Sequence, residues 1–409
     1  MGSMNGPYRL NPAGRIDCVH LRLWFLQVAC FVLVLLMYTV TLISASFKTT
    51  GFPCFFAAVV DYTTFNKTIE GGFTNPIMGG IVPALFFEQG EVLFFFYSFG
   101  LVLIATACYM ITGGIILKRD AKTSACANHA HLASLIVPPA TILVGSLSMW
   151  TLQTVVVLLS HKLIVLAACT YLVHFILFTF FYIYFCGRGV NSVTYADDVR
   201  TLRSLSSRMH IIAGNVRAVI INIISALYGL SIIIMAIMLE MLMANSFSMQ
   251  LWQPITVGIS VFIAITIFFL LAVEFVVARY VHVIIGAHIG LLAGCGMIGT
   301  SSHDYLNRFY YALGENVQGI TLFVRLSLGI LSTIILIMML VRIFRAYIYH
   351  RRNVTRFYGR VRDVRDKVKM YGSRRQGRGP RASKNHVEDE EEEPIYDTVA
   401  ETHFSSDSE

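Results

Sequence analysis

Three short segments carry side chains whose chemistry depends on the compartment that they face. Cys54 lies in Gly51-Phe52-Pro53-Cys54-Phe55, and a thiol of this kind forms disulfides where the surroundings are oxidising. Asn66-Lys67-Thr68 and Asn353-Val354-Thr355 are both acceptor sequences for N-linked glycan. Both reactions take place on the lumenal side of a membrane, so the path of the chain through the membrane decides which of these residues react.

Patterns that indicate catalysis or metal binding are missing from the sequence. It contains no His-Glu-x-x-His, Gly-x-Ser-x-Gly or Cys-x-x-Cys motif, and no phosphate-binding Gly-rich loop followed by Lys-Ser/Thr. Cys126, His129 and His131 lie close together, but a closed zinc site has four ligands and no fourth lies nearby. We therefore expect no catalytic residue, no bound metal and no cofactor, and we predict that the protein is not an enzyme.

The elements that must position Cys54 and Asn66 are strongly apolar. Of 409 residues, 56% are hydrophobic and 14% are charged, whereas soluble domains carry about 25% charged residues. The apolar residues form blocks of roughly 20 residues, the length that a helix needs to cross the hydrocarbon layer. Eight such blocks lie near 24–46, 91–117, 132–159, 163–186, 218–242, 254–278, 282–300 and 319–341.

These blocks predict the fold class. None alternates with the period of a barrel strand, and an isolated segment in lipid satisfies its backbone hydrogen bonds only as a helix. We predict an all-α integral membrane protein, a polytopic bundle of about eight transmembrane helices over 24–341 with a disordered cytoplasmic tail. The sixth and seventh blocks are separated by little more than 279–281, so the count of eight depends on dividing that pair.

Basic residues predict the orientation, because Lys and Arg are retained on the cytoplasmic side during insertion. One set of flanks holds Arg9, Arg15, Arg22, Lys118, Arg119, Lys122, Arg188, Arg200, Arg203, Arg208 and Arg279, and the opposite set holds only Lys48, Lys67, Lys162 and Arg308. Both termini are then cytoplasmic, with 1–23 as an N-terminal segment and 47–90 as an external loop. Asn66 carries the glycan and Asn353 does not. A signal peptide cleaved near Ala45 is the alternative, although the first block exceeds the usual length of about 7–15 residues.

In this topology Cys54 differs from the other seven cysteines. It alone lies clearly in a lumenal loop, while the others lie in spans or beside the reducing cytoplasm: Cys18, Cys30, Cys108, Cys126, Cys169, Cys186 and Cys295. An unpaired thiol in an oxidising compartment tends to form an intermolecular disulfide. A free thiol and an internal bridge to Cys295 remain as alternatives.

Several motifs resemble the envelope glycoprotein M family of herpesviruses, and its alphaherpesvirus branch in particular. They are Gly51-Phe52-Pro53-Cys54 with Val60-Asp61-Tyr62 and the following sequon, then Trp150-Thr151-Leu152-Gln153, Tyr184-Phe185-Cys186-Gly187-Arg188-Gly189 and Arg345-Ala346-Tyr347. The resemblance covers about 20–350. It implies a non-enzymatic viral envelope glycoprotein that is linked by a disulfide through Cys54 to glycoprotein N, a small single-span protein.

The resemblance also implies a role and a location. The role is virion assembly and secondary envelopment, together with modulation of membrane fusion and of envelope-protein trafficking. The location is the virion envelope and the host Golgi and trans-Golgi network, with endosomal, plasma and nuclear membranes as further candidates. A polytopic transporter or viroporin is the competing class.

Polar residues inside the predicted spans are costly in lipid and normally face other helices or a pathway. Several are present, among them Gln153, His174, Asn222, Glu274, His288 and Arg325. Interhelical contacts are the favoured interpretation, and a proton or solute route is the alternative. An ion pair between Arg325 and Glu274 is one possible contact. Gly286, Gly290 and Gly294 form a small-xxx-small ridge that packs either within this bundle or against a partner's helix.

The predicted tail divides by charge. Residues 342–387 are basic and should lie against anionic lipid, which we favour over nucleic acid as the partner. Residues 388–409 are acidic and should stay solvated, beginning with Glu388, Asp389, Glu390, Glu391, Glu392 and Glu393. Tyr396-Asp397-Thr398-Val399 fits a tyrosine-based sorting signal for clathrin adaptors, as does Tyr358-Gly359-Arg360-Val361. Tegument proteins are further expected partners of the tail.

Overall fold

The computed structural model describes residues 12–46, 90–123, 129–161, 163–187, 202, 206–246, 252–275, 284–308 and 316–352. Their regular structure is helical, with no strand among the described residues. The helices are α1 (Pro12–Ser46), α2 (Gly90–Thr123), α3 (His129–Ile136), α4 (Pro139–Ser160), α5 (Ile164–Cys186), α6 (Ser207–His210), α7 (Arg217–Ser246), α8 (Trp252–Phe275), α9 (Gly286–Arg308) and α10 (Asn316–Arg352), and a π-helical segment, Ile211–Val216, joins α6 to α7.

Seven stretches of helix within the described residues are long and apolar enough to cross a membrane. They lie in α1, α2, α4, α5, the segment from α6 through α7, α8 and α10, with mean hydropathies between 1.9 and 2.7. The prediction of an all-α polytopic membrane protein is therefore confirmed. Helix α9 has 23 residues and is about 34 Å long, but Ser301, Ser302 and His303 make its C-terminal part more polar.

Helix α7 lies at the centre of the bundle. It packs against α2, α5, α8 and α9, and 83% of its most apolar stretch is buried, compared with 22% for α10. Helices α1, α4 and α5 pack successively on one side of the molecule, whereas α9 and α10 pack on the other. Helix α10 is thus peripheral, and much of its apolar surface faces outward.

The predicted third span, 132–159, is interrupted. Helix α3 ends at Ile136 and α4 begins at Pro139, because Pro138 and Pro139 lack the N–H groups that would continue the helical ladder. The break leaves carbonyl groups without helical partners, and side chains from three other helices donate to them. Trp24 Nε1 donates to the Val137 carbonyl at 2.9 Å, and the Tyr109 hydroxyl donates to Ile136 at 3.2 Å.

Arg217, the first residue of α7, completes this arrangement. Its guanidinium donates to the carbonyl of Leu135 at 3.1 Å and to that of Phe185, near the end of α5, at 2.7 Å. Its Cζ atom also lies 5.3 Å from the centre of the Phe185 ring. A buried cation therefore sits where two helices end, the position at which the helix dipole favours positive charge.

Helices at both ends of the domain extend past the predicted spans. Helix α1 begins at Pro12 rather than near residue 24, and α10 continues to Arg352 rather than ending near 341. The first part of the predicted basic tail is thus a continuation of α10. Charged flanks do not end these helices, because Arg and Lys are good helix formers in water.

Candidate functional site

The predicted site residues fall into two groups. Gly286, Gly290 and Gly294 lie in α9. The predicted disulfide cysteine, glycan acceptor, sorting signal and acidic cluster lie outside the described residues: Cys54, Asn66, Tyr396, Val399, Glu388, Asp389, Glu390, Glu391, Glu392 and Glu393. Their roles stay predictions.

The glycine ridge of α9 lies directly against α7. A Cβ atom on Gly286 would overlap the Asn222 carbonyl, and one on Gly290 would overlap the Ala226 carbonyl. Gly229 of α7 faces back toward α9, where a Cβ atom would lie 2.9 Å from the Leu291 nitrogen. Close backbone contact of this kind requires small residues on both helices. Because α7 of the same chain fills the ridge, a partner's helix has no space there.

The order of these contacts gives the direction of α9. Gly286 meets Asn222, Gly290 meets Ala226 and Gly294 meets Ile233, so the residue numbers rise together along the two helices. Helix α9 therefore runs parallel to α7. The Asn222 side-chain oxygen accepts hydrogen bonds from the N–H groups of Ile285 at 2.8 Å and Gly286 at 3.0 Å, which satisfies donors at the start of α9.

Two further polar residues connect helices on the other side of the bundle. Gln153 of α4 donates through Nε2 to the Thr41 hydroxyl of α1 at 2.9 Å. His174 of α5 lies with its Nδ1 atom 2.8 Å from the Ser148 carbonyl of α4, and its ring packs beside Phe99 and Phe178. The interpretation as interhelical contacts is thus confirmed for Gln153 and His174, as it is for Asn222.

Glu274 pairs with arginines of α10, but not with the one considered above. Its Oε1 atom lies 3.8 Å from Arg342 Nη1 and accepts a hydrogen bond from Arg345. Arg325 precedes Arg342 by seventeen residues, or about 25 Å along α10. The suggested ion pair between Arg325 and Glu274 is therefore wrong. Glu274 stands at the C-terminal end of α8, and that end packs beside the opposite half of α10.

Two buried charged side chains were missed at the level of sequence. Arg217 lies one residue before the fifth predicted span and was not singled out, although it is only 3% exposed and bonds to two helix ends. Glu240 lies within the fifth predicted span, is 1% exposed and packs against Gly258 of α8. Neither carboxyl oxygen of Glu240 has a hydrogen-bond partner within the described part of the chain. The sequence carries a signal for Glu240, which is an acid inside an apolar block. It carries none for Arg217, because the residues that Arg217 contacts are distant in sequence.

A cleft of about 650 Å³ opens between α9 and α10. Its apolar part is lined by Leu292, Gly296, Leu328 and Gly329. The part nearer the end of α9 and the start of α10 is lined by Thr300, His303, Thr321 and Arg325.

In the described ranges, no group of three or more His, Cys, Asp or Glu side chains is arranged to hold a metal ion. The cleft is the candidate binding site, while Gln153, His174, Arg217, Asn222 and Glu274 connect helices.

Comparison with known proteins identifies the family. The family model for herpesvirus glycoprotein M matches residues 17–361. Envelope glycoprotein M of Gallid herpesvirus 2 is 43% identical over 398 residues, covering 94% of this chain and 94% of the relative. The proteins of the same name from equine herpesvirus 1 and varicella-zoster virus (strain Dumas) are 36% and 38% identical, covering 95% and 87% of this chain and 90% and 82% of those relatives.

No solved structure matches the chain. The family assignment therefore depends on sequence, and it agrees with the helical bundle of membrane-crossing length described above. The motifs that carry the resemblance, from Gly51 to Tyr347, fall within the region that the family model covers. The chain belongs to the herpesvirus glycoprotein M family and is a multi-pass protein of the virion envelope.

Proposed function

We propose that the protein is a non-enzymatic component of the envelope that forms a disulfide-linked heterodimer with glycoprotein N through Cys54. In this role it serves virion assembly and secondary envelopment at Golgi-derived membranes and modulates fusion and the trafficking of other envelope proteins. The observation that carries the proposal is the likeness to envelope glycoprotein M over 94% of the chain. Cys54 lies within the stretch that the family model matches.

The proposed topology has eight crossings. Seven helical stretches are long and apolar enough to span, and α9 runs beside α7, one of those seven, in the same direction. With α9 as the eighth crossing, both termini lie on the same side of the membrane, and the distribution of Lys and Arg favours the cytoplasmic side. Loop 47–90 is then lumenal, which gives Cys54 an oxidising environment and Asn66 access to glycosyltransferases.

The position of Cys295 argues against an internal bridge to Cys54. Helix α9 continues to Arg308, so Cys295 lies about 20 Å from the end of the helix that faces the lumen in this topology. Its side chain is a buried free thiol, 5% exposed. A disulfide requires Cα atoms within about 7 Å, so Cys54 would have to enter the bundle by roughly half its thickness.

Four intramembrane polar residues pair between helices, which favours an envelope protein over a transporter or viroporin. Gln153, His174, Asn222 and Glu274 each contact a neighbouring helix. We further propose that the tail binds clathrin adaptors through Tyr396 and Val399, that it binds tegument proteins, and that its basic part lies on anionic lipid.

Non-reducing electrophoresis of tagged protein from infected-cell membranes tests the heterodimer. We expect a larger species, containing glycoprotein N by mass spectrometry, that collapses under reductant. Cys54→Ser should abolish it, and the matched variant Cys295→Ser should retain it. Non-covalent coprecipitation should survive Cys54→Ser, because helix packing also holds the partner. Persistence of the covalent species in Cys54→Ser refutes the role given to Cys54.

A further inference from the structure

The cleft between α9 and α10 is open because glycines line both of its walls. No atom lies within 4 Å of a Cβ atom built on Gly296 or on Gly329, and one on Gly299 meets only Leu328 Cδ1 at 3.6 Å. On an ideal helix Gly296 is rotated by about 200° from Gly294, so α9 presents glycines on two opposite faces. One face is filled by α7, whereas the other borders an unfilled volume of about 650 Å³.

The cleft changes from apolar to polar along its length. Leu292 and Leu328 lie toward the middle of the bundle, together with Gly296 and Gly329. Toward the end of α9 the lining becomes more polar: Thr300, His303, Thr321 and Arg325 lie there, beside Leu306 and Val324. A ligand that fits this lining has an apolar portion and an anionic or polar end.

Arg325 supplies the positive charge of the cleft. Its side chain is exposed, and no hydrogen bond or ion pair joins it to a side chain that the structure describes. By contrast, Arg342 and Arg345 of the same helix both contact Glu274. A cation within a membrane span is costly unless an anion or a polar interface is within its reach.

The depth of Arg325 indicates which anion is available. Arg325 lies about 25 Å along α10 from Arg342, and the hydrocarbon layer is about 30 Å thick. With Arg342 near the cytoplasmic boundary, Arg325 lies within about 5 Å of the lumenal one. Phospholipid phosphates occupy that level, and a guanidinium binds phosphate through two parallel hydrogen bonds.

The lining favours a lipid over a partner's helix. The cleft has an apolar part beside Leu292 and Leu328 and an arginine at its more polar end, which together match an acyl chain joined to a phosphate. A partner's helix would have to bring an acidic side chain to the level of Arg325. An acyl chain needs only apolar contacts, and every phospholipid carries the phosphate.

We infer that this cleft binds a glycerophospholipid of the lumenal leaflet, with one acyl chain between α9 and α10 and the phosphate on Arg325. His303 provides a second polar group beside the phosphate. The bound lipid fills the space that the glycines leave open and compensates the charge of Arg325. The site is independent of the Cys54 disulfide, and it depends on the proposed topology only for its assignment to the lumenal leaflet.

Photo-crosslinking in nanodiscs tests the inference. Full-length protein is reconstituted in dioleoylphosphatidylcholine with a trace of phosphatidylcholine that carries a diazirine on one acyl chain, and labelled peptides are identified by mass spectrometry. We expect strong labelling of α9 and α10 residues that line the cleft. A diazirine diacylglycerol, which has no phosphate, should label them at least about tenfold less, the factor that the loss of even one of the two charge-assisted hydrogen bonds would give.

Three variants provide the comparison. Arg325→Gln removes the cation, and the double variant Gly296→Leu with Gly329→Leu fills the cleft without meeting protein atoms at Cβ. Gly319→Leu is the matched control, because Gly319 is on α10 and is equally open but does not line the cleft. We expect Arg325→Gln to lose the label by about tenfold. The filled variant should also lose the label, because its leucines occupy the space of the acyl chain, and Gly319→Leu should keep it.

Two outcomes would overturn the inference. Equal labelling of the cleft in all variants and with both probes would mean that only annular lipid is detected. The second outcome has two parts: the lipid label is lost when glycoprotein N is co-expressed, and a photoreactive residue at position 296 forms a protein cross-link. This result would show that a partner's helix occupies the cleft. The second outcome would leave the proposed heterodimer intact, and the heterodimer can fail without affecting the lipid result.

Discussion

Arg217 holds together the ends of two helices, so Arg217→Met should destabilise the bundle substantially. The variant keeps an apolar stem of similar length but removes the donors to the Leu135 carbonyl at 3.1 Å and the Phe185 carbonyl at 2.7 Å. Hydrogen bonds from a charged group contribute about 1.5–3 kcal/mol each, whereas interhelical hydrogen bonds in membrane proteins average nearer 0.6 kcal/mol. Removing a buried cation also recovers part of its desolvation cost.

Combining these terms, we expect Arg217→Met to lower the free energy of unfolding by about 2–3 kcal/mol. Arg217→Lys keeps the charge but not the forked geometry, so it should lose about half as much. Arg208→Met is the matched control, since Arg208 is exposed and precedes α7 by less than three turns. Steric trapping in bicelles measures the three free energies, and a loss from Arg217→Met no larger than that from Arg208→Met would refute the role of Arg217.

Two other predictions concern packing and traffic. Gly290→Leu should lower the free energy of unfolding by at least about 2–3 kcal/mol, because its side chain would overlap the α7 backbone at Ala226. Gly296→Leu points into open space and should change the free energy of unfolding little. Thermal unfolding in detergent compares the two variants, and equal midpoints would contradict the packing of α9 against α7. Tyr396→Ala should move the protein from the trans-Golgi network to the cell surface, as measured by internalisation of surface-labelled protein, and unchanged internalisation would transfer the sorting role to Tyr358.

Much of the fold could be predicted because lipid allows few solutions. A long apolar block in a membrane satisfies its backbone only as a helix, so apolar length alone located the helices. The interruption of the third predicted span at Pro138 was missed, because the length of an apolar block contains no information on backbone geometry. Two consecutive prolines inside an apolar block were nevertheless a readable signal, since they predict orphaned carbonyl groups that need donors.

The partners of the buried polar groups could not be predicted, because they depend on helix rotation and depth. Arg217 reaches Leu135, which is 82 residues away in sequence, and Glu274 meets Arg342 rather than Arg325. The glycine ridge at Gly286 and Gly290 was recognisable by its spacing, but the spacing does not say which helix fills it. Only packing assigns one glycine face of α9 to α7 and leaves the other open.

The topology is the central claim, because the roles of Cys54 and Asn66 both depend on loop 47–90 being lumenal and the tail being cytoplasmic. Glycosidase digestion of the wild-type protein and of the Asn66→Gln and Asn353→Gln variants tests it most directly. Eight crossings predict one mobility shift on digestion, which Asn66→Gln abolishes and Asn353→Gln leaves unchanged. A glycan that disappears in Asn353→Gln would place the tail in the lumen and contradict the eight-span arrangement.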